Sequence, residues 1–277
     1  MSIVILVGGN SEHGNAEHRY LVRQFIDRFG DQVARVITAK PSARPMGTRI
    51  KRLLKRGNYA ERLARAVYRG GYGPDPGKVQ QLLLPEENTP LMPGADRLSV
   101  VSSHNGEACR ALVHDAKPRV LVVYGTAILH APIFSIASDI TLNMHTGLSP
   151  YYRGDSTLFW PVYYNDPDLL GVTVHKLVES VDGGDIAATA RVKYSPGDTE
   201  AHLFAKGVKA GTALYLDAVQ QALDGTLICT PQDLSAGREF SWTHRTVAAE
   251  RKVLAQLRSW ESAAGNTEQQ NTQQACN

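Results

Sequence analysis

The chain has 277 residues and a formal net charge of +3, enough for one large domain or a domain with an appendage, and too weakly basic to imply a nucleic-acid partner. Hydrophobic residues at 43% and charged residues at 21% describe an ordinary globular composition, and no stretch approaches the length of a membrane span. Three cysteines, Cys109, Cys229 and Cys276, are too few and too scattered for a disulfide framework or a zinc site, so a reducing cytoplasm is the expected compartment. Met1 to Val7 leads straight into Gly8-Gly9 rather than into the apolar region of a signal peptide.

Ile3 to Val7 is a short apolar run rich in β-branched residues, read as the first strand. The Gly8-Gly9-Asn10-Ser11 turn that follows can point backbone N–H groups at an anion, or can be a plain strand-to-helix turn. It is not a G-x-G-x-x-G fingerprint, so support for a dinucleotide is weak. Asn15 can cap a helix with Tyr20, Leu21, Phe25 and Phe29 at helical spacing, ended by Gly30, and Val33 to Thr38 reads as a second strand. This strand-helix-strand opening predicts an α/β fold with a doubly wound, mostly parallel, Rossmann-like sheet.

Residues 41–93 depart from that rhythm and read as a helical insertion after the second strand. Arg49 to Arg56 and Asn58 to Arg69 have the pattern of two basic helices parted by Gly57, with Asn58 and Glu61 as a capping pair. Gly70 to Pro74 forces a turn, and Pro85, Pro90 and Pro93 mark a long loop. The basic run is either a solvated helix face, the commoner case, or a contact for an anionic ligand group. Leu98 to Val101 resumes as a strand, Asn105 can cap a helix ending near Asp115, and Arg119 to Gly125 is a buried strand.

Ile140 to Leu142 predicts another buried strand, with Asn143 and His145 sharing one face at its end. An amide beside an imidazole at a strand's carboxyl end can stabilise a developing oxyanion. For an isolated N-x-H a core histidine would be the better reading. Asp155-Ser156 can start a helix through Trp160 and Tyr164. Val172 to Leu177 and Ile186 to Val192 read as strands flanking the Val181-Asp182-Gly183-Gly184 turn, and Thr199 to Leu223 as a long helix stopped by Gly225. A helix-prone stretch runs from Thr246 to Trp260, and the Gln- and Asn-rich residues 265–277 read as a disordered tail.

The segments Asn143-Met144-His145 through Leu148, Pro150 and Tyr152-Arg153-Gly154, then Gly171, Thr173 and His175, then Asp182, Gly184 and Ile186, resemble the signature of the N10-formyltetrahydrofolate-dependent formyltransferases. That family includes glycinamide ribonucleotide, methionyl-tRNA, amino-sugar and hydroxyornithine transformylases. The resemblance implies a catalytic domain over residues 1–230 and a helical C-terminal extension over 231–264. It implies formyl transfer from N10-formyltetrahydrofolate as co-substrate, with no metal. Asn143 and His145 are the expected oxyanion donors, and Asp182 the expected carboxylate that orients His145 and moves protons. The folate is expected along Gly125, Ile128, Leu129, Val181, Gly183 and Gly184. Asn10, Ser11, Thr146, Gly147 and Arg153 are expected on the acceptor side. Thr146, Gly147 and Ser149 depart from the common motif, in the loop expected to face the acceptor. The remaining histidines, His175 among them, read as structural or exposed.

No extra barrel domain of the tRNA-specific enzymes is expected, which counts against a tRNA acceptor. The partners expected are therefore a reduced folate and a small-molecule acceptor. N5-hydroxyornithine, as in pyoverdine-type siderophore assembly, stands slightly ahead of a nucleotide-linked amino sugar, because its nitrogen is unprotonated at neutral pH. A formyltetrahydrofolate hydrolase and a silent binding module are the readings of another class.

Overall fold

The computed structural model describes residues 3–9, 12–40, 59–68, 72–88 and 90–275. The first strand, β1 (Ile3–Val7), is buried along its whole length, and its side chains divide between two cores as a pleat requires. Ile3, Ile5 and Val7 face helix α1 (Ala16–Phe29), while Val4 and Leu6 face the other side of the sheet. Each such buried aliphatic side chain is worth roughly 1.5–3 kcal/mol, so burial on both faces fixes β1 at the sheet centre.

Strands β2 (Val33–Ala39), β3 (Leu98–Val101), β4 (Val120–Tyr124) and β5 (Ile140–His145) complete the parallel part. The order β3-β2-β1-β4-β5-β7-β8 ends in β7 (Gly171–Lys176) and β8 (Ile186–Arg191). β7 runs antiparallel to β5, and β8 antiparallel to β7. The sheet is thus mostly parallel and doubly wound. Helix α1 and the long C-terminal-side helix cover one face, and two shorter helices, Glu107–Ala116 (α4) and Ala131–Phe134 (α5), cover the other. The chain reverses its direction of travel across the sheet between β1 and β4, so the strand ends there open a crevice.

In the inserted region, α2 (Tyr59–Val67) and α3 (Pro76–Leu83) are helical. α3 falls within the stretch read as turn and loop. It is started by Asp75, whose carboxylate accepts Lys78 N at 2.7 Å, with Pro76 in the first turn. The expected basic helix at 49–56 and the capping residue Asn58 lie outside the described residues. Glu61 instead pairs with Arg65 at 2.8 Å and accepts the Val247 N–H at 3.0 Å.

Four other helices differ in their boundaries. The helix expected from Asn105 starts after Gly106, and Asn105 instead accepts from His130 N and donates to Ile128 O. The helix expected from Asp155 is α6, Phe159–Tyr164. The long helix is α7 (Glu200–Asp224), capped by Thr199 and His202 and ended by Gly225 at φ 70°. The last helix, α8 (Val247–Ala275), continues into the residues that composition reads as a disordered tail. A small second sheet pairs β6 (Tyr152–Gly154) with β9 (Arg238–Phe240) in parallel. Aromatic packing holds it, with Phe240 stacked on Trp160 at 4.3 Å.

Candidate active site

β5 delivers Asn143 and His145 to the carboxyl end of the sheet, and the β7–β8 turn brings Asp182 over them. His145 Nδ1 lies 3.3 Å from Asp182 Oδ2. The other ring nitrogen, Nε2, is 3.0 Å from Tyr152 O. Both ring nitrogens face oxygens that only accept, so the ring satisfies both only as an imidazolium. Asp182 Oδ2 also accepts the Gly154 N–H at 2.8 Å, and Oδ1 lies 3.4 Å from His175 Nε2. Burial would raise the Asp182 carboxyl. The charge of His145, the hydrogen bond and charge of His175, and the Gly154 N–H outweigh it and hold the group well below the usual carboxylate range.

His175 therefore belongs to the cluster, contrary to the reading of it as one of the structural or exposed histidines. The β5–β7 register sets Asn143 directly opposite His175, and Asn143 Nδ2 is 3.1 Å from His175 Nε2. His175 Nδ1 donates to Lys176 O at 2.9 Å, which keeps a proton on that nitrogen and leaves Nε2 to face the cluster. As a neutral ring it accepts one amide hydrogen of Asn143, and as a cation it donates to Asp182. In the neutral state Asn143 keeps its second amide hydrogen for a ligand.

The surrounding loops are fitted closely. Thr173 Oγ1 donates to Gly147 O at 2.8 Å and accepts Ser149 N at 2.9 Å, which ties the loop after β5 to β7. Gly147 is buried, and a Cβ there would stand 2.4 Å from His145 Nε2 and 2.5 Å from Thr157 Cβ. Its place is thus against the His145 ring. Thr146 accepts from Thr157 Oγ1 at 2.8 Å and lines a cavity of about 560 Å³, shared with Asp155, Glu200, Phe204 and Arg245. Arg153 is buried and turns to the C-terminal segment, donating to Leu234 O at 3.3 Å. Asn10 and Ser11 lie outside the described residues.

Of the expected folate contacts, Gly125 ends β4 at φ 64°, where an added Cβ would stand 2.3 Å from His18 Nε2. Ile128 is exposed, whereas Leu129 is buried in the core with Ile133, so these neighbours point to opposite environments. Val181 and Gly183 are half-buried in the Asp182 turn, and Gly184 is packed on Lys176 O. The sequence reading also missed Gln232, whose side-chain amide donates to Asp182 O and Gly184 O.

The arrangement can meet a negative charge developing on an oxygen with the Asn143 amide, beside the paired His145 ring and Asp182 carboxylate. The family model described as formyl transferase matches residues 75–219, just over half of the chain. A methionyl-tRNA formyltransferase of Agathobacter rectalis is 31% identical over 154 residues, which are 52% of this chain and 49% of that protein. The match thus spans about half the length of that relative. A sugar N-formyltransferase of a Shewanella species superposes with a TM-score of 0.57 at 13% identity, over 93% of this chain and 88% of that one. The N-formyltransferase of Helicobacter canadensis, solved with folinic acid and dTDP-3-aminofucose, gives a TM-score of 0.57 at 14% identity, over 88% and 72%. At such identities the two structures establish a shared fold, and the family model, which matches just over half of the chain, places the chain in the formyl transferase family.

Proposed function

We propose that the chain transfers the formyl group of N10-formyltetrahydrofolate to an amine of a nucleotide-linked sugar. The observation that carries the transfer step is the grouping of Asn143, His145 and His175 around the Asp182 carboxylate. An unprotonated amine attacks the formyl carbon, and the resulting oxyanion is met by the Asn143 amide, beside the His145 ring held between Asp182 and Tyr152 O. Asp182 orients that ring, and the proton lost by the attacking nitrogen passes to the folate N10 as the carbon–nitrogen bond breaks. Positioning of the two substrates does the rest. For the acceptor, support comes from neighbours of the same fold described as sugar N-formyltransferases, one of them solved with dTDP-3-aminofucose. This reverses the order expected from sequence, which put N5-hydroxyornithine first.

Hydroxyornithine stays as a second reading on one observation. Arg245 directs its donors to Glu200, Glu250 and Ser156, so it offers the cavity wall no free guanidinium for a phosphate. Incubation with N10-formyltetrahydrofolate and each acceptor, read by product mass, tests both. A dTDP- or UDP-amino sugar is expected to gain a formyl group. Formylation of hydroxyornithine alone would replace that reading with the second, and formate release with no acceptor would replace both with a hydrolase.

A further inference from the structure

Residues 230–240 lie beyond the stretch matched by the family, yet they touch both loops that carry the site. Ile186 and Thr230 exchange backbone hydrogen bonds, each of 2.8 Å. Arg238 N donates to Tyr151 O at 2.9 Å, and Asp155 N to Phe240 O at 2.8 Å. Gly237 lies so close to the Pro150 carbonyl that a Cβ would stand 1.8 Å from its oxygen. Between these contacts Gln232 spans the turn of the β7–β8 connection. Its Nε2 donates to Asp182 O at 2.8 Å and to Gly184 O at 2.5 Å.

The amide orientation is forced, because reversal would set its oxygen against two carbonyl oxygens. Gln232 Oε1 is buried without a partner, so the side chain serves this place through its donors alone. What it holds is not a relaxed turn. Asp182 sits at φ 45°, a left-handed conformation that costs a non-glycine residue roughly 1–2 kcal/mol and persists where neighbours impose it.

We propose that Gln232 is a positioning residue for the reaction, holding the 182–184 backbone so that the Asp182 carboxylate meets His145, His175 and the Gly154 N–H together. The kinetic consequence rests on the formyl-transfer reading, whereas the geometric one does not. A side chain that merely stabilised the fold would, when removed, lower the folded fraction and leave the carboxylate of the remaining molecules in its usual surroundings. A positioning side chain, when removed, separates Asp182 from the two rings and the N–H in molecules that are still folded.

The test uses the full chain labelled with ¹³C at aspartate carboxyls, the Asp182 signal being assigned by its loss in Asp182→Asn. In the wild type this carboxyl is expected to stay ionised well below the usual range. In Gln232→Met it is expected to titrate closer to ordinary aspartates, with unchanged far-ultraviolet circular dichroism. kcat for formyl transfer should fall by ~10–10²-fold with little change in the KM for folate, as for a displaced catalytic group. Gln232→Lys, whose ammonium can donate to both carbonyls, should recover most of both readouts. If Gln232→Met does not fold, Gln232→Asn replaces it, keeping the donors but withdrawing them by one methylene. Wild-type titration of Asp182 in either folded variant would overturn the proposal, whatever happened to kcat. A shifted titration in a chain that formylates no acceptor would leave the proposal standing and remove the function assigned above.

Discussion

Asn143 Nδ2 and His175 Nε2 stand 3.1 Å apart across the antiparallel β5–β7 pair, so the amide and the second imidazole are fixed by strand register rather than by a loop. A residue placed in this way keeps its geometry when the loops around it move. His175→Ala should therefore loosen the Asn143 amide and remove one partner of Asp182, lowering kcat without removing the amide donor itself. The loss is expected to be smaller than that of Asn143→Ala. A His175→Ala enzyme as impaired as Asn143→Ala would assign His175 a direct role in the reaction.

Replacing Asn143, His145 or Asp182 singly by Ala should lower turnover by orders of magnitude in a folded protein. Loss of one oxyanion donor alone is worth ~10²–10³ in rate. Steady-state kinetics checked against circular dichroism decides the point, and near-normal turnover by a folded Asp182→Ala chain would reject the site.

Asp182 makes a definite prediction for stability. Its carboxyl is held below the unfolded value by His145, His175 and Gly154, so the folded state gains from its ionised form. That gain is fully present above the unfolded value of about 4, and it is lost as pH falls through the lower folded value. Urea unfolding of the wild type and Asp182→Asn should show the wild type more stable at neutral pH, with the difference shrinking as pH falls below about 4. A gap that widens on acidification would contradict the sign.

Gly147 is a steric prediction. An alanine Cβ would meet His145 Nε2 at 2.4 Å and Thr157 Cβ at 2.5 Å, distances that require one of them to move. Gly147→Ala should cost more in kcat than in Tm, since the displaced group is the His145 ring to which the proposal gives a part in the reaction. Wild-type kcat in this variant would show that the ring tolerates displacement.

Arg245 is buried between Glu200 and Glu250, with a bidentate contact of 2.7 and 2.7 Å to Glu200. Arg245→Met leaves both carboxylates without their cation, and breaking such a buried pair costs ~3–5 kcal/mol. Denaturant midpoints should record the loss, and it should lessen at mildly acidic pH as one glutamate takes up a proton.

Much of this architecture could be read from sequence because burial on two faces writes itself as unbroken apolar runs, as in Ile3 to Val7 and Val120 to Tyr124. Asn143 and His145 were legible because a strand's two-residue period brings them to one face. His175 was not, since its meaning depends on which residue of β5 it faces, and register is a property of the pair of strands. Gln232 left no local signal at all, being fifty positions from Asp182 and bonded only to backbone. The start of α3 could have been found, because Asp75-Pro76 has the form of a helix cap followed by a first-turn proline. In residues 265–275 the polar composition pointed to disorder, whereas the helix begun at Val247 continues through them.

The pairing of β6 with β9 has a consequence for synthesis on the ribosome. Strand β6 leaves the exit tunnel first, and its ladder partner among the described residues, Arg238 to Phe240, follows more than eighty residues later. A nascent chain that has released Asn143, His145 and Asp182 still lacks the partner that fixes Gly154, whose N–H binds the Asp182 carboxylate. At ~5–20 residues per second, seconds separate the two events. The growing polypeptide thus carries Asn143, His145 and Asp182 before it can arrange them, and synthesis of Arg238 to Phe240 sets the moment at which the cluster is completed.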